Sequence, residues 1–113
     1  MHEFGIAQGL MDVVLGRARE AGATRIEQVN LAIGVLAGVE EEALQFAFRA
    51  LGEDTPAAET RLVVEKIPLR CYCRPCDAVF ECKPFAYRCP TCGAASAEVR
   101  TGKELNLVSM EVS

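Results

Sequence analysis

The sequence has one histidine, no tryptophan and only two tyrosines among its 113 residues. The lone histidine is His2. No two-histidine site can therefore form within the chain, and any Ser/His or Cys/His pair would have to use a residue that precedes the first helix. Long apolar runs are also missing. The longest uncharged stretch, Gln28 to Val39, has twelve residues, against the roughly 18–20 that a membrane-spanning helix requires. No basic segment opens the chain: Arg17 is the first positive charge, and Glu3 stands where a secretory signal would carry Lys or Arg. Positive charge is not in excess either. Twelve Lys/Arg against sixteen Asp/Glu leave −4, which argues against a protein held on nucleic acid by its overall charge. Gly34 and Gly38 are not followed by Gly-Lys-Ser/Thr, so no phosphate-binding loop is expected.

What the sequence does contain is an apolar fraction of 50%, enough for a modest core and too much for a disordered chain. It also has six cysteines, five of them between Cys73 and Cys92 with Cys71 just before. The chain is expected in the cytoplasm, where cysteines rarely pair as disulfides, so this crowding points to a metal. Charge separates the same region from the rest: residues 68–102 carry +2 and the remainder −6. Two modules are expected, one formed by residues 1–67 with 103–113 and the other a four-cysteine module at 68–102.

Hydrophobic spacing gives the elements. Ile6, Leu10, Val13, Val14 and Ala21 recur at helical steps, predicting a helix over 4–21 closed by Gly22. Val29, Leu31 and Ile33 alternate with Gln28, Asn30 and Ala32, predicting a strand over 25–34. Glu40, Glu41 and Glu42 then open a second helix, where carboxylates oppose the positive end of the dipole, with Leu44, Ala47, Phe48 and Leu51 as its apolar stripe and Gly52 at its end. Residues 61–67 and 104–112 read as further strands. The expected fold class is α+β: two helices packed on a three-stranded sheet, with an inserted zinc-ribbon-like module.

Cys73-x-x-Cys76 and Cys89-x-x-Cys92 are separated by twelve residues. Two such knuckles facing each other supply four sulfurs to one tetrahedral ion, and a closed four-thiolate shell leaves no position for a substrate water. Zinc is the expected metal, in a structural role; iron accepts the same shell. Pro90 stiffens the second knuckle and Gly93 follows it. Asp77 stands where such knuckles often carry glycine, and Asp tolerates the left-handed conformation better than most residues. Cys71 and Cys82 are left over and read as small, half-buried thiols.

The N-terminus offers a different chemistry. The Met1 amine, the His2 amide nitrogen and the His2 imidazole can close fused chelate rings on one ion, with the Glu3 amide as a fourth nitrogen. A planar nitrogen set suits Ni(II) or Cu(II) rather than zinc, and the amide protons it displaces make binding pH-dependent. The Glu3 carboxylate could orient the imidazole or neutralise charge. Set against this, a terminal histidine is commonly a solvated, frayed end.

These residues together resemble the HypA/HybF nickel metallochaperones. The resemblance is carried by Met1-His2-Glu3 with its following helix, by Ala47-Phe48 before Leu51, by the Cys73/Cys76 and Cys89/Cys92 pairs, and by the closing strand from Gly102 to Glu111, and it covers essentially the whole chain. It implies a cytosolic accessory protein, not an enzyme, that helps insert nickel into [NiFe]-hydrogenase and, for some members, urease. It implies Ni(II) at Met1, His2 and Glu3, structural Zn(II) at Cys73, Cys76, Cys89 and Cys92, and as partners a HypB-type accessory GTPase and the hydrogenase large subunit. Any GTP dependence would then come from that partner.

Two other readings remain open at this point. A zinc-ribbon module that binds nucleic acid or protein would rest on Arg70, Arg74, Lys83 and Arg88, a set that serves equally as a solvated face. A rubredoxin-like electron carrier would use the same four cysteines for iron, but would leave the residues ahead of the knuckles without a purpose.

Overall fold

The computed structural model describes residues 2–113. Its elements run α1 (Glu3–Glu20), β1 (Ile26–Gly34), a 3-10 turn (Val35–Ala37), α2 (Glu41–Leu51), β2 (Arg61–Ile67), β3 (Arg70–Cys73), β4 (Ala78–Glu81), β5 (Val99–Thr101) and β6 (Leu105–Val112). The strands form two three-stranded sheets, ordered β2-β1-β6 and β4-β3-β5. The chain divides into two compact units: Met1–Leu31, Val39–Glu65 and Asn106–Ser113 make the first, Ala32–Gly38 and Lys66–Leu105 the second.

In the first unit, α1 packs on α2. The stripe that α1 buries is Ala7, Met11, Val14 and Ala18, together with Glu3. This corrects the face expected from the largest apolar residues: Val14 is shared, Ile6 and Leu10 are only half-buried, and Val13 is 44% exposed. Ala7 and Ala18 bring small side chains into that stripe beside Met11 and Val14, and small residues let packed elements approach a helix axis closely. The helix closes as the sequence indicates. Gly22 takes φ +70, its N–H donates to Arg19 O at 3.1 Å, and the Ala23 N–H donates to Ala18 O at 2.9 Å, the paired bonds of a Schellman end.

Helix α2 begins where the glutamates predict. Glu40 is its N-cap, accepting the Ala43 N–H at 2.9 Å through its own carboxylate, and Glu41 and Glu42 lie in the first turn. Leu44, Ala47 and Phe48 are buried, while Leu51 is half-buried. Ile26, Val29 and Leu31 of β1 and Leu62 of β2 add the sheet's share of buried apolar surface. On β6, Leu107 and Met110 are half-buried and Val108 is 62% exposed.

The second unit is held by a β3–β4 hairpin in the register Cys71↔Phe80 and Cys73↔Ala78, with β5 on the other side of β3. Its core is Leu69, Cys71, Cys73, Phe80 and Cys89. One backbone crossing is unusually close. The Gly34 N–H donates to Glu104 O at 2.8 Å, and a Cβ placed on Gly34 would stand 2.1 Å from the Gly102 carbonyl carbon and oxygen. Only glycine fits at position 34.

Candidate metal centres

Each Cys-x-x-Cys pair sits on a turn followed by a left-handed residue. Cys73 ends β3 and Cys76 lies in the turn to β4; Cys89 and Cys92 flank the second turn. After each pair the chain takes a left-handed residue: Asp77 at φ +49 and Gly93 at φ +75. The turns close through Asp77 N–H to Arg74 O at 3.2 Å and Gly93 N–H to Cys89 O at 2.8 Å. Asp77 therefore does occupy the glycine-like position, and its carboxylate also accepts the Tyr72 hydroxyl. That contact raises the Tyr72 phenol above its ordinary value, with burial and the negative charge of Asp77 adding to the effect.

The two turns bring four sulfurs together. All four Sγ atoms of Cys73, Cys76, Cys89 and Cys92 lie within 4.8 Å of one another, with Cys73 and Cys92 at 3.5 Å and Cys76 and Cys89 at 3.8 Å. A tetrahedron with zinc–sulfur bonds of 2.3 Å has edges of about 3.8 Å, so the cluster already has the size a tetrahedral ion requires. Cys73 and Cys89 are buried, Cys76 is half-buried and Cys92 exposed. Backbone dipoles are aimed at the first sulfur of each pair. The N–H groups of Cys92 and Thr91 pull the Cys89 thiol down to about 6; the Cys76 N–H acts in the same direction on Cys73, but burial and hydrogen bonding with Cys92 and Cys89 leave that thiol above its ordinary value. Cys76 is pushed up to about 12 by hydrogen bonding with Cys92, Cys73 and Cys89. Four crowded sulfurs cannot all ionise without a cation among them, and a divalent ion supplies the missing positive charge.

The remaining cysteines form a pair of their own. Cys71 is fully buried, Cys82 is half-buried, and their Sγ atoms are 3.6 Å apart.

At the other candidate site, Met1 lies outside the described residues. His2 precedes α1 as its N-cap residue and is exposed, and its carbonyl accepts the Ile6 N–H at 3.0 Å. Glu3 is the one buried charged side chain among the described residues. Its Oε2 accepts the backbone N–H of Glu40 at 2.9 Å. The positive amino terminus, then the N–H groups of Glu40 and of Glu3 itself, bring its carboxyl down to about 2. The neighbourhood of Glu40 was not foreseeable from the sequence. Thirty-seven positions separate it from Glu3, and no spacing rule reaches that far.

The fold and site define a small α+β protein that carries a four-thiol metal cluster in a zinc-ribbon-like module. The family model described as "Hydrogenase/urease nickel incorporation, metallochaperone, hypA" matches residues 1–112. The chain belongs to this HypA family of hydrogenase maturation factors. It is 40% identical over 112 residues to the "Hydrogenase maturation factor HypA" of Chloroflexus aurantiacus, covering 98% of each chain. It is 38% identical to that of Picosynechococcus sp., covering 99% of each. Among solved structures it is similar to the nickel metallochaperone HypA from Helicobacter pylori, with a TM-score of 0.67, 23% identity and coverage of 99% of this chain and 97% of that one. A second, described as the solution structure of HypA protein, has a TM-score of 0.74 at 23% identity, covering 100% of this chain and 97% of that one. At that identity the structural likeness is one of fold. The family is one of maturation factors rather than catalysts, and no described helix is long and apolar enough to cross a membrane.

Proposed function

We propose that this chain carries Ni(II) at its N-terminus and delivers it, in the cytoplasm, during maturation of [NiFe]-hydrogenase. The nickel donors are the Met1 amine, the backbone amides of His2 and Glu3, and the His2 imidazole, with Glu3 contributing charge and placement. The observation that carries the reading is the pairing of an exposed His2 with a buried, hydrogen-bonded Glu3 next to it. One residue is open to an incoming ion while its neighbour is tied to the residue that caps α2. An ion held by an exposed end can be taken over by an acceptor without the fold opening.

In this reading Cys73, Cys76, Cys89 and Cys92 hold Zn(II) in a structural role. The metal supplies charge neutralisation and a four-way link between the two knuckles, and the closed sulfur shell leaves no coordination position for chemistry. The partners are a HypB-type GTPase, which would bring the nucleotide chemistry, and the hydrogenase large subunit. Urease is a second acceptor, supported by the description of the family model.

The test is a Ni(II) titration of the chain with its native first residue against His2→Ala. The proposal expects the variant to lose the high-affinity site while keeping its zinc and its melting temperature. Equal nickel affinity in the two would overturn it.

A further inference from the structure

Cys71 and Cys82 are not members of the four-sulfur cluster, yet they approach one another as closely as its members do, at 3.6 Å. The hairpin puts them there. Cys71 is paired with Phe80, and Cys82, just past β4, donates its N–H to Leu69 O at 3.0 Å. Residues 71, 80 and 82 therefore share one face of the hairpin, with the two sulfurs on a diagonal. Cys71 is fully buried and Cys82 is partly open to solvent. A reagent thus meets Cys82 first and finds Cys71 waiting behind it.

We propose that Cys71 and Cys82 are an oxidation site, a dithiol that an oxidant of the peroxide class joins into a disulfide while the four-sulfur cluster keeps its metal. The Cys82 sulfur, as thiolate, attacks one peroxide oxygen. The O–O bond breaks, one water leaves after protonation, and Cys82 becomes a sulfenic acid. The Cys71 sulfur then attacks the Cys82 sulfur, the S–O bond breaks, and a second water leaves. Two thiols have lost two electrons and two protons to the peroxide, which is reduced to two waters. Burial, followed by hydrogen bonding to Cys71, pushes the Cys82 thiol up to about 11. The pair therefore reacts slowly near neutrality, and once joined it presents a poor leaving group to attacking thiols. The link closes the loop over residues 71–82, which contains Cys73 and Cys76, and so restricts the unfolded freedom of the first knuckle.

The experiment treats the full, metal-loaded chain with hydrogen peroxide and maps its peptides without reduction, alongside a zinc assay. The expected result is a Cys71–Cys82 linked peptide, lighter by two hydrogens and restored by dithiothreitol, with zinc content unchanged. Cys82→Ser should abolish the link, and the oxidised chain should yield its metal to a chelator more slowly than the reduced chain. A first linkage among Cys73, Cys76, Cys89 and Cys92 with zinc release would overturn the proposal, as would a sulfinic acid at Cys82 beside a free Cys71. Equal rates of metal loss would overturn the loop-closing role. Should the chain prove to hold no zinc at all, the structural-zinc reading fails separately, and the peptide map still decides this one.

Discussion

Glu3 accepts the backbone N–H of Glu40 through its carboxylate at 2.9 Å, joining the first turn of α1 to the residue that caps α2. The first turn of one helix is thus tied to the cap residue of the other. An N–H that would otherwise be left without a helical partner is satisfied by a charge.

This contact has a pH signature. The Glu3 carboxyl is lowered from 4.5 to about 2, first by the amino terminus and then by the Glu40 N–H. A lowered carboxylate stabilises the fold fully above its unfolded value and loses that contribution as pH falls toward its folded one. Melting temperature should therefore fall between about pH 4.5 and 2 more steeply in the wild type than in Glu3→Gln. Parallel pH profiles would show that the carboxylate contributes nothing there.

Removing one sulfur should disable the cluster without dissolving the helices. Both helices belong to the first compact unit, and all four clustered cysteines to the second. Cys89→Ser is expected to lose bound metal, measured by elemental analysis, while far-ultraviolet circular dichroism retains the helical signal. In zinc-finger peptides the metal's binding free energy is about 10–16 kcal/mol and is largely folding free energy, so the hairpin and knuckle signals should broaden in NMR spectra.

Gly34→Ala tests the tight backbone approach at Gly34 in the second unit. The added methyl would meet the Gly102 carbonyl at 2.1 Å. Neither neighbour is a flexible side-chain tip, so overpacking should destabilise by more than about 3 kcal/mol. Urea denaturation measures this. A loss below about 1 kcal/mol would mean that the two segments separate easily.

Asp77→Asn separates the two roles of Asp77. Asn keeps the tolerance for a left-handed backbone, so stability should change little. The charge that holds the Tyr72 proton disappears, so the Tyr72 phenol should titrate at lower pH than in the wild type. Ultraviolet titration of the two tyrosines reads the shift. No change would show that Asp77 does not hold the Tyr72 hydroxyl in solution.

Much of this molecule is written locally. Glu40 to Glu42 announce α2 because charge and capping act within one turn, and β2 falls on Arg61–Ile67, where the run Leu62, Val63 and Val64 indicates a strand. The four clustered cysteines are legible because ligand spacing is itself a local geometry. The face of α1 is not legible in this way. Ile6, Leu10 and Val13 carry the stronger hydrophobic signal, but the stripe that α1 buries is Ala7, Met11, Val14 and Ala18, because tertiary packing and not side-chain size decides which face turns inward. The three strands of the second unit, of four, four and three residues, are too short for period-two alternation to register. The Glu3–Glu40 contact and the Cys71–Cys82 approach depend on tertiary placement, and pattern within a segment does not encode either.

The proposed nickel carriage depends on the free Met1 amine as a donor to the ion. It is tested most directly by titrating Ni(II) into the chain with an unmodified Met1 amine and into the same chain acetylated there. Acetylation removes one nitrogen donor and leaves every described hydrogen bond of the cysteine unit untouched. Affinity is expected to fall at least about tenfold, about 1.4 kcal/mol, with zinc content unchanged. Identical nickel isotherms for the two forms would contradict it.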